Sequence, residues 1–223
     1  MRRLAHILVT AALLLLQIHP VDAGPSGTIN GAESTAGTGM IPAGPFLYGE
    51  KGKEQELSLP AFMMDLYEVT NAEYAKVRPR EYPPEKANHP VVGITWDEAK
   101  QYCETVGKRL PSEQEWEKAA RGTDGRRFPW GDTYDPKKLN AEGRNNGTTP
   151  VGQFPDGRSP YGLYDMAGNA WEWTTAAGST YRPLRGGAWN TGMQLVGNTV
   201  RIWNDPSYRD EAFGFRCVKD GTK

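Results

Sequence analysis

Very few side chains here are able to make or break bonds. The chain holds two cysteines, Cys103 and Cys217, and three histidines, His6, His19 and His89. Thiolates serve as nucleophiles or soft-metal ligands, and imidazoles as general bases or as ligands for zinc, copper or iron. His6 and His19 lie in a leader expected to be removed, which leaves His89 alone. One imidazole cannot build a 2-His-1-carboxylate or three-histidine site, so iron is not expected. A serine hydrolase would have to recruit the same His89, and no Gly-x-Ser-x-Gly elbow supplies its nucleophile. Standing before Pro90, His89 reads as a loop residue.

The leader is the strongest sorting signal. Arg2 and Arg3 precede an apolar run from Leu4 to Leu16, and Val21-Asp22-Ala23 gives small-residue spacing for cleavage after Ala23. A membrane anchor would need about 20 apolar residues, whereas Gln17, His19 and Pro20 end this run early. Residues 1–23 are therefore expected to be a signal peptide, and the product secreted or periplasmic, with no membrane span after cleavage. Export favours pairing of Cys103 with Cys217, two separate buried thiols being the alternative. Loss of Arg2, Arg3 and Asp22 leaves 24 basic and 26 acidic residues, which argues against a nucleic-acid partner. Residues 24–39 are mostly Gly, Ser, Thr and Ala with little to bury and read as a flexible tether, so a single domain is expected over residues 40–223.

The elements that must position these groups are partly visible. Thr70 with Glu73, Thr95 with Glu98, and Ser112 with Glu115 have the spacing of reciprocal helix caps. After Thr95, Ala99, Tyr102, Cys103 and Val106 form one apolar stripe; after Ser112, Trp116, Ala119 and Ala120 do the same, with Gly122 as a stop. Phe46-Leu47-Tyr48 and Phe62-Met63-Met64 suit short strands between turns. Phe213, Phe215 and Cys217 alternate with Gly214 and Arg216, predicting one strand with its apolar side inward.

In order, Met40-Ile41-Pro42-Ala43-Gly44, Tyr67-Glu68-Val69-Thr70-Asn71, Gly107-Lys108-Arg109-Leu110-Pro111-Ser112-Glu113, Gly162 to Asn169, Trp171-Glu172-Trp173, Arg185 to Trp189 and Gly214-Phe215-Arg216-Cys217 resemble the sulfatase-modifying-factor family. The resemblance implies an α+β, compact, loop-rich relative of the C-type lectin fold, with short strands and about three short helices. Its founding members are formylglycine-generating enzymes, which use copper on two cysteines to oxidise a cysteine of a sulfatase. By the family's spacing those positions fall at Thr191 and Val196, and a serine position falls at Ala188. A hydroxyl and an isopropyl group offer Cu(I) no sulfur, so copper is not expected. Cys103 and Cys217 match the family's structural disulfide.

The resemblance also implies a calcium site at Asp165, Gly168, Ala170 and Glu172, two carboxylates and two backbone carbonyls of the hard-oxygen kind that calcium takes. A second calcium site would begin at Asn140 and Ala141, but the loop that follows, to Pro150, is short. Trp171, Ala188, Trp189, Thr191, Val196, Arg201 and Trp203 correspond to segments that line the family's substrate groove, accompanied by Asn204, Asp205, Tyr208 and Arg209. The expected function is that of an exported domain without formylglycine-generating activity that binds a protein, peptide or glycan in this groove. A divergent oxidoreductase acting on an exported substrate is the alternative. Asn146-Gly147-Thr148 is a glycosylation sequon, relevant only in a host that glycosylates.

Overall fold

The computed structural model describes residues 37–221; the expected signal peptide and nearly all of the tether lie outside them. The first strand, β1 (Thr38–Ile41), opens slightly ahead of Met40 and pairs antiparallel with β4 (Phe62–Asp65), which also pairs with the final strand β9 (Val218–Asp220). Between β1 and β4 the chain makes a hairpin of β2 (Gly44–Tyr48) and β3 (Gln55–Leu59). Both short apolar runs anticipated as strands thus fall in β2 and β4.

All three anticipated caps form. Thr70, Thr95 and Ser112 each accept from the backbone N–H three residues on, while the glutamate there accepts from the cap's own N–H. They start α1 (Asn71–Val77), α2 (Trp96–Thr105) and α3 (Glu113–Arg121), satisfying donors that a helix start otherwise leaves unpaired. Gly122 ends α3 at φ +71°, a conformation that suits glycine. Ala99, Tyr102 and Cys103 are buried as expected, but Val106 caps α2 from outside the helix and is 38% exposed. In α3 the apolar stripe is three of eight buried residues: Glu117, Lys118 and Arg121 are each 1% exposed.

A second sheet runs β7–β6–β5–β8, from β5 (Trp171–Trp173), β6 (Arg182–Arg185), β7 (Arg201–Asn204) and β8 (Phe213–Gly214). Its strands are antiparallel except β5 with β8. The anticipated single terminal strand is therefore two: β8 joins this sheet and β9 the first. Phe213, Phe215 and Cys217 are all buried, yet Arg216 between them is buried as well, because the chain turns between sheets there. Cys217 is bonded to Cys103 of α2, and both lie in one core cluster with Tyr74, Tyr102, Trp173 and Phe215. Among the described residues no helix is long and apolar enough to cross a membrane.

Candidate functional site

The segment after β6 decides what became of the expected groove. Gly186 and Gly187 have φ +94° and +80°, and a β-carbon on Gly187 would stand 2.7 Å from Val196 Cγ1. This tight pair turns Ala188 inward, where its N–H donates to Thr191 Oγ1 (2.9 Å) while Thr191 N–H donates back to the Ala188 carbonyl (2.9 Å). Val196 is fully buried against Phe128, Leu139, Ala141 and Ala167. Thr191 thus closes a turn and Val196 plugs a core. Trp171 also belongs to the core, at 5% exposed, and Trp189 is half-buried against it. Four of the seven expected wall residues, Trp171, Ala188, Thr191 and Val196, are therefore buried and do not line an open groove.

Arg201 and Trp203 do reach an opening. With the end of β2, the β2–β3 turn and Leu195 they bound a cavity of about 610 Å³. Trp203 is 41% and Leu195 49% exposed, a large apolar presentation for neighbouring side chains. Arg201 Nη1 donates to the Tyr48 hydroxyl (3.1 Å) and lies 3.4 Å from Glu113 Oε2. Burial, with Glu113 adding to it, pushes the Tyr48 phenol up to about 12, so its hydroxyl stays protonated as a donor at neutral pH. The sequence reading did not find Tyr48, Lys53 or Leu195, which share this cavity with Arg201. Arg209 turns elsewhere, forking onto Glu98 at the start of α2 (2.6 and 2.7 Å).

Beneath β5 lies a cluster of buried charge. Glu172 accepts from Arg216 Nε and Nη2 (both 2.7 Å) and from Trp116 Nε1 (2.8 Å). Glu68, three residues before the start of α1, accepts from the Ala170 N–H (2.9 Å) and from Asn169 Nδ2 (2.6 Å). Asp165 accepts from the Gly152 N–H (2.7 Å). Asp165 and Asn169 sit at φ +54° and +63°, strained for residues with side chains, and bracket Gly168, where a β-carbon would come 2.3 Å from the Asn140 carbonyl oxygen. Burial raises Asp165 to about 6, with Glu172 adding to it, while the Gly152 hydrogen bond and Arg216 oppose. Glu68 is held well above its usual range by burial first, then by Asp165 and Glu172. Three buried carboxylates thus face a single guanidinium.

Hard oxygen donors with surplus negative charge are what a divalent cation would balance. Among the described residues no three Asp, Glu, His or Cys side chains are grouped to hold a metal by themselves. A calcium ion held by Asp165 and Glu172 would accordingly draw on the Gly168 and Ala170 carbonyls as well, and its contribution would be charge balance and loop rigidity. At the second expected site, Asn140 uses its side chain within the protein: Nδ2 donates to Gly147 O and Asn169 Oδ1, and Oδ1 accepts from Asn145. His89 lies 3.0 Å from the Thr148 hydroxyl through Nδ1 and is half-buried, and burial holds its pKa below the usual value.

Known proteins match this arrangement. The family model described as a sulfatase-modifying factor enzyme 1-like domain covers residues 26–221. "Inactive C-alpha-formylglycine-generating enzyme 2" of Bos taurus is 40% identical over 155 residues, covering 60% of this chain and 51% of its own. The chain thus spans about half the length of that relative. Among solved structures, PvdO from Pseudomonas aeruginosa superposes with a TM-score of 0.71 at 23% identity, covering 82% of this chain and 94% of PvdO. Treponema denticola variable protein 1 does so at 0.74 and 21%, covering 82% and 95%. At such identities these two structures speak for the fold alone. With the family model spanning most of its length and this fold beneath it, the chain belongs to the sulfatase-modifying-factor family.

Proposed function

We propose that this protein is an exported, secreted or periplasmic, binding domain that does not generate formylglycine and takes a protein, peptide or glycan into the cavity between the β2–β3 turn and β7. The observation that carries the reading is that cavity: exposed Trp203 and Leu195 beside the Arg201–Tyr48 pair. Flat aromatic area with a nearby guanidinium fork suits recognition of a sugar face or of an extended peptide. The only two cysteines of the chain are bonded to each other, so no thiolate is left for copper. Calcium at Asp165 and Glu172 would serve the fold.

Two measurements test this together. Protein supplied with copper and a cysteine-containing sulfatase peptide should give no mass loss corresponding to the aldehyde; formation of the aldehyde, or of another oxidised product, would establish the oxidoreductase reading instead. Titration against panels of peptides and oligosaccharides should yield a ligand whose binding is lost in Trp203→Ala and Arg201→Ala while the melting temperature holds. Ligands that bind both variants unchanged would remove the cavity from the proposal.

A further inference from the structure

A second cavity, of about 350 Å³, lies between the β2–β3 turn, the loop after α3 and the approach to β7, and contains none of the residues expected to form the groove. Its floor is Arg121, the last residue of α3 and 1% exposed. Arg121 Nη1 donates to the Leu47 and Gly49 carbonyls and to Glu117, and Nη2 donates to the Gly125 carbonyl, but Nε has no partner. Behind it, Arg185 is fully buried, pairs with the same Glu117, and also leaves its Nε without a partner. Two buried guanidinium groups therefore share one carboxylate, and buried charge in excess of its counter-charge is costly unless something else balances it.

The rest of the charged lining is Arg127, Lys51 and one carboxylate, Asp132, whose Oδ1 accepts from the Arg127 N–H (2.8 Å). Arg127 reaches the cavity with its guanidinium over the Phe128 ring, 5.0 Å from its centre. Lys51 stands at the mouth, 3.7 Å from Asp132, in an exposed pair of small energetic weight. Gly125 lines the wall at φ +75°, where a β-carbon would stand 3.5 Å from Arg121 Nη2, so no side chain crowds the guanidinium from that direction. We infer that this cavity is an oxyanion site, built to receive a carboxylate or sulfate group, with Arg121 and Arg127 as its principal partners and Lys51 drawing the anion in. Planar guanidinium forks suit either group. The site does not depend on what fills the larger cavity, which it adjoins at Thr199.

Isothermal titration of the whole protein with inorganic sulfate and with acetate, against chloride at matched ionic strength, reads the site directly. A saturable heat with sulfate or acetate that chloride does not give is expected, and the anion that binds names the group. Arg127→Gln, a change at an exposed side chain, should weaken that binding by about tenfold, the usual scale of a lost charge-assisted hydrogen bond. Trp203→Ala should leave it unchanged, which separates this site from the proposed ligand cavity. The inference is overturned if neither anion gives a saturable heat, or if Arg127→Gln binds as the parent does.

Discussion

Arg216 illustrates how far a residue's role can lie from its position in a pattern. In the sequence it alternates with Phe215 and Cys217 and so occupies the place of a solvent-facing side chain; in the structure it is fully buried and clamps both oxygens of Glu172. Replacing Arg216 by Met should cost about 3–5 kcal/mol in urea unfolding, because Glu172, Glu68 and Asp165 would be left without a buried counter-charge. The acidic excess also sets a pH dependence. In calcium-free protein Asp165 titrates near 6 rather than at the ordinary 3.8. The folded chain then holds this proton more tightly than the unfolded one, so the stability it confers is full below the unfolded value and is lost as pH rises through about 6. Urea midpoints in chelator should therefore fall between about pH 4 and pH 6, and Asp165→Asn should flatten that fall. Added calcium should restore stability at neutral pH in the parent alone, by about 2.7 kcal/mol at a hundredfold excess over its dissociation constant. Identical melting with calcium and with chelator would dismiss the ion. Asp165 and Glu172 were legible through the family pattern; Glu68 and Arg216 were not assigned, since burial of a charge is settled by partners distant in sequence.

At the scale of elements, helices were the readable part because what starts them is local. Each cap joins residues three apart, and each appears as anticipated at Thr70, Thr95 and Ser112. Ser112→Ala removes the acceptor for the Glu115 N–H and should lower unfolding free energy by about 1 kcal/mol, seen as a shifted urea midpoint with an unchanged slope. A change within error would mean that the Arg109–Glu115 fork, at 2.8 and 2.6 Å, holds the start of α3 unaided. Strands were harder. β5 spans Trp171–Trp173 and all its residues are buried, so no alternation marks it; its identity comes from pairing with β6 and β8. The division of the last segment into β8 and β9 likewise follows from two sheets competing for it, and residue spacing carries no trace of that competition.

The cavity at Arg201 belongs to the whole molecule, because its walls come from a hairpin near the start of the described residues and a strand near their end. Trp203 and Arg201 could be named from a family pattern, whereas Tyr48 becomes part of the site only through the packing of β2 on α3 and the reach of Arg201 across it. The same long-range closure gives the disulfide its weight. Cys103 and Cys217 are 114 residues apart and join α2 to the link between β8 and β9, so the bond holds the helix against the crossing from one sheet to the other. In the chain-entropy view, opening a loop of that length forfeits about 4–5 kcal/mol, an upper figure because denatured chains retain structure. Both sulfurs are completely buried with Tyr102 and Phe215, so Cys103→Ala with Cys217→Ala, which keeps the site apolar, is the cleaner variant. It should unfold at lower urea than the parent, and reductant should lower the parent's midpoint while leaving the variant's unmoved. Thiol titration of denatured, unreduced parent should find no free sulfhydryl. Two titratable thiols, or a double variant as stable as the parent, would show that the core around α2 closes without the bond.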